Sequence, residues 1–111
     1  MFISAEGGVT RLSDSDLPVG MFPDAKFQER RIVVPGGCSI VVCTDGVADA
    51  LNSEGEEFGE VGIMRCLASL PRPIDAEGIC KHLAGKVADW AAEADRFDDT
   101  TILALSVHAH V

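Results

Sequence analysis

The chain has 111 residues, 47% of them apolar and 24% charged, which suits one globular domain with its own core and excludes a disordered tail. Eighteen acidic residues against nine Lys and Arg leave a formal charge of -9, a field that repels nucleic acid and anionic membrane surfaces, so neither is expected as a partner. Five Phe, one Trp and no Tyr require a mainly aliphatic core.

At the start, Met1-Phe2-Ile3-Ser4 lacks a basic segment followed by a long apolar run. No window approaches the ~18 apolar residues of a membrane span, so the chain is expected to be neither exported nor membrane-spanning. Phe2-Ile3-Ser4 and Val9-Thr10-Arg11-Leu12 flank the turn-prone Ala5-Glu6-Gly7-Gly8 and predict a β-hairpin. Residues 13–25, broken by Pro18, Gly20 and Pro23, read as an ordered loop. The β-branched run Ile32-Val33-Val34 before the turn Pro35-Gly36-Gly37 predicts the first strand of a second hairpin. Its partner, residues 38–43, is apolar at both alternating positions, the pattern of a central strand covered on two sides.

Val47-Ala48-Asp49-Ala50-Leu51 predicts a short helical turn, and Asn52-Ser53-Glu54-Gly55 a loop. Val61, Met64 and Leu67 predict a helix over residues 60–70, closed by Pro71. Asp75 caps a longer predicted helix whose inward stripe is Ile79, Leu83, Val87, Trp90, Ala91 and Ala94, with His82 on its exposed side. Residues 101–107 form another continuous apolar strand before the tail His108-Ala109-His110-Val111. The four cysteines, Cys38, Cys43, Cys66 and Cys80, form no C-x-x-C pair and lie in apolar stretches. They read as small buried hydrophobes in a reducing, cytoplasmic setting rather than as metal ligands or a disulfide framework.

Two acidic motifs stand out. Asp45 in Thr44-Asp45-Gly46 follows the strand over residues 38–43, and Gly46 is expected to let the chain turn sharply away from the sheet. Asp98 and Asp99, in Phe97-Asp98-Asp99-Thr100-Thr101, sit just before the strand over residues 101–107. If these strands pair antiparallel, the end of one meets the start of the other, and Asp45 and Asp98 share one rim of the sheet. Like charges there repel unless a cation bridges them, and magnesium or manganese, which take carboxylate and water oxygens, are the natural partners. Taken singly, T-D-G is also an ordinary strand-ending turn and D-D-T-T also a local cap, so a plain α/β domain with structural acidic turns stays open.

The sequence resembles the type-2C metal-dependent serine/threonine phosphatases, in particular the bacterial branch typified by the sporulation stage II E phosphatase and sigma-factor regulators. The resemblance runs nearly end to end. It is carried by Leu17-Pro18-Val19-Gly20-Met21-Phe22, Val34-Pro35-Gly36-Gly37, Cys43-Thr44-Asp45-Gly46-Val47-Ala48-Asp49-Ala50, Asn52-Ser53-Glu54-Gly55-Glu56-Glu57-Phe58-Gly59 and Arg96-Phe97-Asp98-Asp99-Thr100-Thr101. The resemblance implies that Asp45 and Asp98 are ligands of a two-metal manganese or magnesium centre, with Gly46, Asp99 and Thr100 in support. It also implies direct hydrolysis of a phosphorylated protein, such as an anti-anti-sigma factor, by an activated water.

The family's earlier G-D segment and its D-G or G-H-G element, which carry the other ligands, have no counterpart here, so residues 1–111 resemble only the C-terminal part of the catalytic domain. The implied fold is α/β (α+β), a portion of an α-β-β-α sandwich with a mainly antiparallel sheet and two helices, over residues 60–70 and 75–94, on one face. A half site is expected to bind metal weakly and to have little or no activity alone. Its expected partners are the N-terminal half of the domain and, through exposed sheet edges, other copies of itself. The competing reading is a non-catalytic interaction module that keeps the fold.

Overall fold

A computed structural model of the chain describes residues 1–5, 8–12, 23–24, 26–27, 29, 31–92 and 99–108. The order of elements is β1 (Phe2–Ala5), β2 (Gly8–Arg11), β3 (Ser39–Cys43), α1 (Asp45–Ala48), α2 (Gly59–Ala68), α3 (Ala76–Trp90) and β4 (Ile102–Ser106). The strands form one antiparallel sheet in the order β2-β1-β3-β4. The predicted first hairpin is β1–β2, with Phe2 opposite Arg11 and Ala5 opposite Gly8. The loop expected over residues 13–25 lies outside the described residues except for Pro23 and Asp24, which form a turn.

The two faces of the sheet differ, because side chains alternate along each strand. Phe2 and Val41 on one face are buried, and Val9, Cys43, Ile102 and Ala104 pack beside them. Ile63, Cys66 and Leu67 of α2 and Ile79, Leu83 and Val87 of α3 close over that face, so both helices lie on the same side as expected. Each large aliphatic side chain buried there contributes about 1.5–3 kcal/mol. Within the α3 stripe, Trp90 is half-buried, and Ala94 lies outside the described residues.

Helix α3 begins where the sequence places it, because the Asp75 carboxylate accepts a hydrogen bond from the Gly78 amide at 2.7 Å and satisfies an N-terminal donor. The Trp90 indole N–H donates to the Glu56 carbonyl at 2.9 Å and meets Phe58 edge-on, which ties the loop after α1 to α3. Among the described residues no helix is long and apolar enough to cross a membrane. All four cysteines are free, and burial pushes the Cys43 and Cys66 thiols up.

Three expectations are corrected. Residues 32–34 form no strand, and Val33 is 93% exposed. Both edges of β3 are already taken by β1 and β4, so the run before the Gly36–Gly37 turn has no place beside it. β3 is a central strand but is covered on only one face, because Val42, Leu103 and Leu105 on the other face are open to solvent. His82 is not on the exposed side of α3. It borders the buried stripe, three residues after Ile79, and its Nε2 is shut from solvent without a hydrogen-bond partner among the described residues.

Candidate functional site

β3 and β4 pair antiparallel with Cys43 opposite Ile102, so the residues after β3 and those before β4 leave the sheet together at one rim. Two hydrogen bonds continue the pairing past the last ladder residues. The Thr44 amide donates to the Thr101 carbonyl at 3.0 Å, and the Thr101 amide donates to the Thr44 hydroxyl oxygen at 2.9 Å. Thr44 is also the N-cap residue of α1, yet its side chain makes no cap bond within the helix. That hydroxyl is instead spent across the rim, locking the T-D-G segment to the lead-in of β4.

Asp45 occupies the first position of the single-turn α1, whose backbone closes through the Asp49 amide to the Asp45 carbonyl at 2.8 Å. Its carboxylate is exposed and has no partner among the described residues, which suits an oxygen donor aimed at a ligand from outside the chain. Gly46 is buried in the same turn, packed onto the Asp99 backbone and the Thr100 side chain. A Cβ there would overlap the Asp99 carbonyl oxygen and stand 3.2 Å from the Thr100 γ-methyl. The reason for glycine therefore differs from the expected one. Its φ lies outside the left-handed region, and what it provides is close approach between two backbones rather than a sharp turn.

Asp99 is exposed at this rim, with Thr100 half-buried beside it. Asp98 lies outside the described residues, so the pairing of Asp45 with Asp98 rests on the sequence and the resemblance. The described residues bring Asp45, Gly46, Asp99 and Thr100 together. Among them no group of three or more His, Cys, Asp or Glu is arranged to hold a metal ion. What these residues offer a hard cation is thus part of a coordination shell made of oxygens. The neighbouring Cys43 packs against the core, where burial pushes its thiol up.

A groove of about 560 Å³ runs from Asp45 past Met1, Arg11 and Glu60. Arg11 Nη2 pairs with Glu60 Oε1 at 2.7 Å, joining β2 to the first turn of α2 at the edge of the site. Sequence reasoning missed this pair, since nothing local links residues 49 positions apart. It also missed Thr44 as the rim clamp, for which the only local signal is a hydroxyl residue directly before D-G.

A family profile described as Stage II sporulation protein E (SpoIIE) matches residues 1–108. No curated protein matches the chain at a significant level. Among solved structures, the chain is similar to the phosphatase domain of the cell fate determinant SpoIIE from Bacillus subtilis, a structure described as Mn presoaked. The TM-score is 0.63 at 17% identity, over 99% of this chain and 47% of that one, so the likeness is one of fold and this chain spans about half of the other's length. With the profile covering nearly every residue, the chain belongs to the stage II sporulation protein E family.

Proposed function

We propose that this chain is the C-terminal part of a metal-dependent phosphoprotein phosphatase domain, and that Asp45 and Asp98 contribute two carboxylate ligands to a manganese or magnesium centre. The observation that carries this reading is the β3–β4 register, which with the Thr44–Thr101 clamp brings the T-D-G turn against Asp99. When bound, the metal supplies a water of lowered pKa as nucleophile and positive charge for the phosphoryl oxygens. The chain's own part is positional. The clamp holds the backbone on both sides of the rim, Gly46 allows it to close, and Asp45 stays exposed there. Asp99 and Thr100 support the same rim.

The remaining ligands would come from the other half of the domain, whose sheet would cover Ile40, Val42, Leu103 and Leu105. The substrate class is a phosphoserine or phosphothreonine in a regulatory protein, with an anti-anti-sigma factor as the candidate and the cytoplasm as the setting. The 111 residues by themselves are proposed to bind metal weakly and to turn over little or no substrate. A second reading, an interaction module that keeps the fold without catalysis, draws on the same open apolar face.

The test is calorimetric titration with manganese, together with hydrolysis of a phosphoserine peptide. Both are run on this chain and on one extended N-terminally through the rest of the domain, each with Asp45→Asn and Asp98→Asn. The expected result is weak binding in the short chain, tight binding with turnover in the long one, and loss of both on either substitution. Robust hydrolysis by the short chain would overturn the half-site reading. Metal binding indifferent to both substitutions would overturn the ligand assignment, and a long chain that binds metal without turnover would favour the interaction module.

A further inference from the structure

At the end of the sheet away from Asp45, the register sets Ser4, Ser39 and Ser106 side by side in one row across β1, β3 and β4. They lie on the helix-covered face, where the next row toward the Asp45 rim is Phe2, Val41 and Ala104. Ser4 and Ser39 are 0% and 3% exposed, so the core gives up apolar packing there for hydroxyls that must be hydrogen-bonded. Ser39 and Ser106 bond to each other at 3.0 Å, and Arg72 Nη2 donates to Ser4 Oγ at 2.9 Å.

Arg72 lies on the connection between α2 and α3 and is half-buried. Its guanidinium carries five N–H donors, and its hydrogen-bonded partner among the described residues is a neutral hydroxyl, with no ion pair. A partly desolvated cation with no ion-pair partner among the described residues favours an anion. Arg72, Ser39 and Ser106 line an open cleft of about 840 Å³ whose other walls include Ile74, Asp75 and His108. Asp75 is the opposing charge in the cleft. Its carboxylate is engaged by the Gly78 amide at the start of α3, where the helix dipole offsets part of its field. The length of β3, about 13 Å at the rise of a strand residue, separates this cleft from the metal rim.

We propose that this cleft binds a phosphate group, with the Arg72 fork donating from one wall and, from the other, the one O–H of the Ser39–Ser106 pair that is not spent on its partner. Donors on two walls suit a tetrahedral oxyanion, whose oxygens point to more than one side, and the fork geometry of arginine suits phosphate. The group arrives either as the free ion or as a phosphomonoester, for which the cleft has room. The site is independent of the metal chemistry above.

The test is a titration of the 111-residue chain, in chelator and at low salt, with inorganic phosphate and separately with glycerol 3-phosphate, followed by amide chemical shifts. Saturable shifts at Gly37, Ser39, Asp75 and Val107 are expected, and the tighter of the two titrants identifies the source. Arg72→Gln is expected to weaken binding about tenfold, the scale of a lost charge-assisted hydrogen bond, and Ser106→Ala by a smaller factor. Should Arg72→Gln fail to fold, Arg72→Lys keeps the charge without the fork and is expected to give an intermediate loss. The proposal is overturned if neither titrant produces saturable shifts at these amides, or if the shifts persist at unchanged affinity in a folded Arg72 variant.

Discussion

Gly46→Ala tests the closure of the rim most directly, because two effects of opposite sign compete at that position. Gly46 sits in the turn of α1 with φ outside the left-handed region, so on helix propensity alone alanine would stabilise by up to about 1 kcal/mol. Against this, the new Cβ would overlap the Asp99 carbonyl oxygen and stand 3.0 Å from the carbonyl carbon, and backbone cannot swing aside as a side chain can. Relief comes either by overpacking, at about 1–3 kcal/mol, or by opening the two Thr44–Thr101 hydrogen bonds, at about 1 kcal/mol each. The cheaper route, at about 1–2 kcal/mol, less the gain from helix propensity, leaves a net destabilisation of about 1 kcal/mol. For a domain of this size that lowers Tm by roughly 4 °C. Thermal unfolding followed by circular dichroism measures it, with amide exchange at Thr101 showing whether the clamp has opened. A Tm that is unchanged or raised would mean that the two backbones are not in contact and that the rim is not preformed.

Thr44→Val keeps the shape of the side chain but leaves the Thr101 amide without its acceptor, so Thr101 exchange should accelerate and stability fall by about 1 kcal/mol in denaturant titrations. The thiol of Cys66, buried in the core, is held up above its ordinary value of 9.0, so the folded state keeps a proton that the unfolded chain loses. Its contribution is complete below pH 9.0 and declines as pH rises above it; Cys66→Ala, compared by urea midpoint across this range, should show a shallower alkaline decline. On the open face, Leu103 and Leu105 are 63% and 58% exposed, and Leu105→Lys should change stability by no more than about 0.5 kcal/mol while lowering the amount of any oligomer that the unaltered chain forms in sedimentation. An undiminished oligomer would show that self-association does not use this face.

Much of the fold was legible because local pattern and tertiary placement agree. The hairpin of β1 and β2 follows from two short apolar runs around a glycine-bearing turn, and α3 from an Asp cap with apolar residues at steps of three and four. The antiparallel pairing of β3 with β4 entered as an assumption that would unite two acidic motifs, and the structure shows that pairing. Ile32-Val33-Val34 misled because β-branched composition reports a fit to a pleated surface, while pairing needs a free strand edge.

By itself the sequence determined the types of the elements that formed, though not that residues 32–34 stay out of the sheet, together with the central place of the strand read over residues 38–43 and the candidacy of Asp45, all of which depend on neighbours along the chain. Tertiary structure alone decided why residue 46 is glycine, what the Thr44 hydroxyl bonds, and that Ser4, Ser39, Ser106 and Arg72 meet at one end of the sheet. It also showed that one face of an apolar sheet stays open. The physical reason is common to these cases. Steric overlap, hydrogen bonds and burial act between atoms near in space, and here the partners lie tens of residues apart in a chain whose local pattern cannot record them.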